Sequence, residues 1–311
     1  MSSSTHNPCW NLLHSVKVSD VGRMVDVATL TSENTVEDAV NLFSKYNCLS
    51  CPVLDPKTNK LTSMVDMLDV AHHLIEVCPQ SKSLTSDDLQ RAGRAMALRP
   101  LSQVANGSGR DPPLPLDVNQ PLTLAASLFA AGVHRVAIVN PEGKITGLVS
   151  QSNVISFLAD NIERGDCKHM GTKTLEELGL GQNGVVSCLL TTTVIDVIRK
   201  LDRVGMSGVA LTNPAGRLSG NFSVTDLRGL WNELLPKFNI SAGQYLQEHH
   251  PGSLKVQPLL LETATLAQVI KKMSSEKVHR VWVINKKGET TGVVSITDVM
   301  KVVKDLEMLI N

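Results

Sequence analysis

Val278-His-Arg-Val-Trp-Val-Ile-Asn-Lys-Lys-Gly-Glu-Thr-Thr-Gly-Val-Val-Ser-Ile-Thr-Asp298 is the stretch whose reading decides the fold. A basic pair, His279-Arg280, leads into a strand-like run over 281–284. Residues 285–288 have turn chemistry, Val293 and Val294 belong to a second strand, and Ser295-x-x-Asp298 opens a helix. Counting back from Asp298, and likewise from Asp69, Asn153 and Asp226, finds this unit four times. Three residues earlier stand Ser295, Asp66, Ser150 and Ser223; six earlier stand Gly292, Ser63, Gly147 and Gly220. The turns at 55–59, 140–143, 213–216 and 285–288 share an Asn or Asp at the bend and a Gly for the φ > 0 position, a role Asn59 fills in the first copy.

Each motif is flanked by helical patterns. The preceding stripes are Val36/Ala39/Val40/Phe43, Pro121/Leu124/Ala125/Leu128, Val194/Val197/Ile198/Leu201 and Leu266/Val269/Ile270/Met273. Thr35, Thr193 and Thr265 precede three of them as N-caps, and Gln120 precedes the other with Pro121 at the first helical position. The following helices carry Val70/Leu74, Val154/Phe157/Leu158, Leu227/Leu230/Trp231 and Val299/Val302/Val303. The position of His279 is held by Leu49, His134 and Ser207 in the other copies, and that of Arg280 by Ser50, Arg135 and Gly208. Basic pairs therefore mark the even copies only.

Composition limits the function classes. Of 311 residues 42% are hydrophobic, and 30 basic residues balance 30 acidic ones, so the broad positive field expected of nucleic-acid binding is absent. No apolar run reaches the ~20 residues of a membrane helix, and the first residues lack a signal-peptide plan. The expectation is a soluble protein of the cytoplasm, with the nucleus as a second compartment. The six cysteines are scattered, and Cys48-x-x-Cys51 runs into a strand, which favours buried thiols over zinc or redox chemistry. His72-His73 and His249-His250 read as surface or helix histidines, and no metal site is expected.

The expected fold is mixed α/β, with β-α-β-β-α repeats at 21–78, 99–160, 185–236 and 254–311. Residues 1–20 read as an extension, with a helix near Trp10, and 79–98, 161–184 and 237–253 as linkers, the second with a short helix at 175–178. One repeat is too small to bury its own faces, so neighbours are expected to pack in pairs.

The copies resemble cystathionine-β-synthase-type (CBS) domains, most specifically at 278–298 and at Val133-His134-Arg135. A chain made of four such copies resembles the gamma subunit of the AMP-activated or sucrose-non-fermenting protein kinase. Stretches at 151–155, 172–179 and 219–226 resemble the plant-type subunits. That resemblance implies two tandem CBS pairs (Bateman modules) in a disk-like, pseudo-symmetric assembly. It implies a subunit without catalysis that binds AMP, ADP or ATP as a regulatory ligand rather than a cofactor, and reports it to a kinase catalytic (alpha-like) subunit through a scaffold (beta-like) subunit. By the same resemblance Asp69, Asp226 and Asp298 take ribose hydroxyls, and His134, Arg135, His279 and Arg280 face phosphates. Ser223, Thr225, Ser295 and Thr297, with the N-cap residues Thr193 and Thr265, complete the candidate set.

Physical chemistry permits those roles. A carboxylate accepts from a vicinal diol, a helix start favours phosphate, and Arg engages phosphate bidentately. The bland alternative is that Ser-x-x-Asp is a helix cap and nothing more. Two departures weigh on particular copies: Asn153 lacks charge, and Asp66 sets a second negative charge beside Asp69, disfavouring an anion there. A ligand-insensitive scaffold, or a sensor of another adenosyl ligand such as S-adenosylmethionine, are the competing functions. No P-loop, dinucleotide turn or nucleophile elbow supports an enzyme.

Overall fold

The computed structural model describes residues 8–81, 84–228 and 235–305. After helices α1 (Pro8–His14) and α2 (Val18–Val21), the first copy runs β1 (Leu30–Thr31), α3 (Val36–Tyr46), β2 (Ser50–Leu54), β3 (Leu61–Asp66) and α4 (Met67–Val77). Helix α5 (Ser86–Ala97) follows. The second copy is β4 (Leu116–Asp117), α6 (Leu122–Ala130), β5 (Arg135–Val139), β6 (Ile145–Ser150) and α7 (Gln151–Asn161), then α8 (Lys168–Thr172). The third is β7 (Ser187–Leu189), α9 (Val194–Val204), β8 (Gly208–Thr212), β9 (Leu218–Ser223) and a short 3₁₀ turn (Val224–Leu227), followed by α10 (Ala242–His249). The fourth is β10 (Leu259–Leu260), α11 (Leu266–Glu276), β11 (Arg280–Ile284), β12 (Thr290–Ser295) and α12 (Ile296–Lys304). In every copy the short strand pairs parallel with the next, which pairs antiparallel with the last.

The four-copy alignment is exact at the level of hydrogen bonds. The N–H groups of Met67, Gln151, Val224 and Ile296 donate to the carbonyls of Leu49, His134, Ser207 and His279. The turn chemistry holds as well: Asn59, Gly143, Gly216 and Gly288 all have positive φ, at 55°, 80°, 74° and 77°. One stripe is shifted by a residue. Pro121 has extended backbone (ψ 146°) and stands before the helix rather than in it, so α6 buries Leu122, Ala125, Ala126 and Phe129 while Leu124 faces solvent. The Leu230 and Trp231 positions of the third copy lie outside the described residues.

The segments expected as linkers are structured. Residues 79–98 contain α5, which buries Leu89, Ala92 and Met96, and 161–184 contain α8, with 175–179 a turn rather than a helix. More consequentially, a leader segment before each copy is donated to the neighbouring copy. Val18 N–H donates to Gln120 O and Leu122 N–H to Val16 O, tying the leader of copy one to copy two. The reciprocal pair, Leu101 N–H to Asn34 O and Val36 N–H to Arg99 O, ties the leader of copy two to copy one. Copies three and four exchange leaders in the same way, through Ala242 to Thr192 and Val194 to Ile240, and through Leu175 to Ala264 and Leu266 to Lys173. Each exchange gives an orphan N–H of a helix first turn its acceptor, and buries one apolar anchor completely: Val18, Leu101, Leu175 and Ala242.

This exchange explains the division of the chain. One compact unit comprises 1–27, 114–185 and 257–311, the other 28–113 and 186–256. Each unit thus holds alternate copies, two with four and one with three, whereas consecutive copies are related by the exchanged leaders. Each has a separate apolar core, the first around Phe129, Leu158, Ile270 and Val299, the second around Phe43, Val70, Ile198 and Phe222. The glycine column has the same cause. A Cβ on Gly292 would lie 2.4 Å from Gly181 C and O, and one on Gly147 2.8 Å from Arg23 O, because the tail of each leader crosses the strand there.

Candidate functional site

The four helix starts share one construction. The last residue of the hairpin caps the helix, and the residue three further on returns its side-chain oxygen to the cap's own N–H, closing a capping box: Asp66/Asp69, Ser150/Asn153, Ser223/Asp226 and Ser295/Asp298. The register sets Arg135 opposite Ser150 and Arg280 opposite Ser295 on adjacent strands, so each arginine's backbone abuts a helix cap in the even copies. The capping reading is therefore correct for all four. What distinguishes them is how much of each acceptor remains.

In the first copy nothing remains. Asp69 accepts from Asp66 N–H (3.0 Å) and Asn106 N–H (3.2 Å) on one oxygen and from Ser108 N–H (2.8 Å) on the other, and its residue is 2% exposed. Burial pushes its pKa up despite these bonds. Burial, and then the charges of Asp69 and Asp111, hold the Asp66 carboxyl well above the usual range. The folded state therefore binds this proton more tightly than the unfolded chain, and the associated stability is present below the unfolded pKa near 4 and lost as pH rises. Asp66→Asn keeps an acceptor for Asp69 N–H without the charge. It should stabilise the protein at pH 7 by on the order of 1 kcal/mol, with the gain shrinking towards pH 4, as read by urea denaturation at both values.

The third copy is closed in a different way. Asp226 takes Ser223 N–H (2.7 Å) and Ser223 Oγ on one oxygen and Ser253 Oγ (2.5 Å) on the other, while Tyr245 Oη donates to its main-chain carbonyl (3.0 Å). Ser253 and Tyr245 belong to the leader of copy four. Asp226 is buried, which raises its pKa, and burial lowers that of His250 beside it. Thr225 hydrogen-bonds Ser223 through the hydroxyls.

The even copies are more open. Asn153 Oδ1 accepts from Ser150 N–H and Oγ. Asp298 accepts Ser295 N–H (2.8 Å) and Ser295 Oγ (2.6 Å) on Oδ2 alone; Oδ1 has no partner among the described residues, and the side chain is half-buried. The structure also brings copies two and four together here. Gln151 is 7% exposed and donates Nε2 to Val133 O (3.0 Å) and to Thr297 Oγ1 (3.0 Å). Ser152 Oγ lies 3.2 Å from Nε2 of His279, an exposed residue, while His134, Arg135 and Arg280 are half-buried. Thr193 and Thr265 are N-caps, accepting from Asp196 N–H and Gln268 N–H.

Sequence reasoning missed Asn106, Ser108, Tyr245, Ser253 and the clamp made by Gln151. It also set the histidine doublets apart from any carboxylate, whereas His72 Nδ1 lies 2.5 Å from Asp202 and His73 Nδ1 2.5 Å from Glu76. None of the six cysteines forms a disulfide. No described helix is long and apolar enough to cross a membrane.

Comparison with known proteins corrects the assignment drawn from resemblance. The chain is 26% identical to protein SDS23 of Kluyveromyces lactis over 96% of its own length and 63% of the relative's. It is 26% identical to protein SDS23 of Saccharomyces cerevisiae over 80% and 51%, and 21% identical to protein sds23/moc1 of Schizosaccharomyces pombe over 89% and 76%. The chain thus spans only part of these relatives. They overturn the gamma-subunit reading, and with it the kinase catalytic and scaffold subunits as partners. Fold likeness is broader: a Methanocaldococcus jannaschii protein described as a putative archaeal homolog of g-AMPK superposes with TM-score 0.70 at 18% identity, covering 92% of this chain and 99% of that one. An uncharacterized conserved protein of Pyrococcus horikoshii gives 0.55 at 17%, covering 93% and 100%. Repeat architecture carries the fold but not the partner, which explains why the resemblance misled. The CBS domain model matches 18–76, 109–160 and 258–305, just over half of the chain, and each match starts in or near an exchanged leader or its tail; the chain belongs to the CBS-domain family.

Proposed function

We propose that this CBS-domain chain is a non-catalytic regulatory protein that binds an adenine nucleotide at the helix start of its fourth copy. The observation carrying this reading is the contrast among the three carboxylates: Asp69 and Asp226 have both oxygens engaged by the chain, whereas Asp298, a half-buried residue, keeps Oδ1 without a partner among the described residues. An open carboxylate oxygen suits a ribose hydroxyl. Arg280, facing Ser295 across the hairpin, and His279 beside Ser152 supply the cationic and donor groups that favour a phosphorylated ligand over S-adenosylmethionine. Ser295 and Thr297 are spent on the cap and the Gln151 clamp, and act by holding Asp298 in place.

A second reading, a scaffold that does not respond to ligand, is favoured by the closed carboxylates of copies one and three. Thermal unfolding of the full chain with AMP, ATP and S-adenosylmethionine separates the two. The sensor raises the melting temperature with AMP or ATP more than with S-adenosylmethionine. No shift with any of the three ligands supports the scaffold.

A further inference from the structure

The third copy carries a cleft of about 470 Å³ between its edge strand β7 and helix α9, lined by Ser187 to Leu189 and Thr192 on one side and by Asp196, Arg199, Lys200 and Arg203 on the other. That volume lies within the range of small-molecule sites, roughly 300–1,000 Å³. Three cations face one carboxylate.

The donors and acceptors in this cleft are unbalanced in the same direction as its charge. Ala210 N–H donates to Val186 O and Leu190 N–H to Thr212 O, so by the two-residue alternation of a strand the main-chain groups of Ser187 and Leu189 point away from the sheet. The outward carbonyls are already taken, Ser187 O by Lys200 Nζ and Leu189 O by Thr192 N–H. What the edge still offers is N–H donors. A strand-pairing peptide needs both donors and acceptors, whereas an anion needs only donors.

The other copies serve as an internal control. Counted from the residue before each helix, the positions of Arg199, Lys200 and Arg203 are Asn41, Leu42 and Lys45 in copy one and Ser127, Leu128 and Ala131 in copy two. Packing this helix on its sheet therefore does not require cations. Copy four has Lys271 and Lys272, but they are neutralised by Glu163 and Glu276. In copy three Lys200 bonds a carbonyl instead of a carboxylate, and Arg203 is exposed with no acidic partner among the described residues. Arg199 is held by Asp196 (3.1 Å) and by the carbonyls of Pro79 and Ser81, which fixes its guanidinium at one wall.

We propose that this cleft is an anion site, separate from the helix-start carboxylates, that takes a small ligand bearing two or more adjacent phosphate or carboxylate groups. Arg203 stands four residues from Arg199 and three from Lys200, so its side chain emerges about 5–6 Å from each of theirs, a span that matches neighbouring anionic groups better than a single one.

Isothermal titration of the full chain with pyrophosphate and with citrate tests the proposal, using Lys200→Met/Arg203→Met as the variant and leaving the structural Arg199 in place. The expected result is saturable, salt-sensitive binding of at least one probe, weakened roughly tenfold or more in the double variant. The melting temperature of that variant without ligand should match the parent, and Asp298→Ala should bind the probe as the parent does. Absence of saturable binding, or equal binding by the double variant, overturns the site. Loss of probe binding in Asp298→Ala would also overturn it, by placing the anion at the fourth copy. A polyglutamate peptide that binds when neither small anion does would contradict the ligand class.

Discussion

Gly292→Ala is expected to lower stability by about 2–3 kcal/mol, the cost of overpacking where the neighbour is backbone. The added methyl carbon would sit 2.4 Å from the carbonyl carbon and oxygen of Gly181 and 2.7 Å from Asn183 Oδ1. The two Gly181 atoms are backbone and cannot yield as the end of a flexible side chain would. Gly181 has φ +72° with the Val283 side chain close where a Cβ would stand, and its carbonyl accepts from Thr291 Oγ1. The leader tail would therefore have to lift from β12, opening the contact by which copies three and four exchange segments. Gly220→Ala is the comparison: its nearest neighbour is Leu254 Cδ2 at 3.1 Å, a side-chain end, so its loss should be about 1 kcal/mol or less. Urea denaturation of the two variants reads the difference. Equal small losses would mean that the leader is not held against the strand in the way described.

Asp298→Ala and Asp226→Ala should separate into different phenotypes although both residues occupy the same motif position. Asp298→Ala removes the open acceptor and is expected to weaken adenine nucleotide binding by about 1.5–3 kcal/mol, tenfold or more, the range for a hydrogen bond to a charged group. It also removes half of a half-buried capping box, costing stability about 1 kcal/mol. Asp226→Ala strips buried partners from Ser223 and Ser253 and should cost stability about 1–3 kcal/mol with little change in ligand affinity. Titration calorimetry and thermal unfolding on both variants measure the two axes. Ligand loss in Asp226→Ala with retention in Asp298→Ala would reverse the assignment of the open site.

How much could be read from the sequence depended on whether a feature repeats in register. The hairpins were legible because Asn or Asp at the bend and Gly at positive φ recur at fixed distances from Asp69, Asn153, Asp226 and Asp298. The column holding Gly147, Gly220 and Gly292 was visible too, but its cause was not, since the crossing segment is the tail of the neighbouring copy's leader. The leaders themselves left a faint signal. Lys17/Asp20, Thr174/Glu177 and Ser241/Gln244 share the three-residue spacing of a helix or turn start, followed by an apolar residue at Val21, Leu178 and Tyr245. A search for repeats ahead of each first strand would have found them, and 161–184 and 237–253 would then read as parts of the domains. The closed carboxylates were not legible, because Asn106, Ser108 and Ser253 lie in irregular segments whose contacts are set by the exchange. Pro121 misled for a local reason: proline is as compatible with the residue before a helix as with its first position, and only the extended ψ decides.

The most direct test of the account is titration calorimetry of the full chain with AMP, reading stoichiometry together with affinity. The expected result is a single saturable site that Asp298→Ala abolishes or weakens at least tenfold, with Asp69→Ala and Asp226→Ala leaving that affinity in place. Binding that persists in Asp298→Ala, or additional sites lost on changing Asp69 or Asp226, would contradict it.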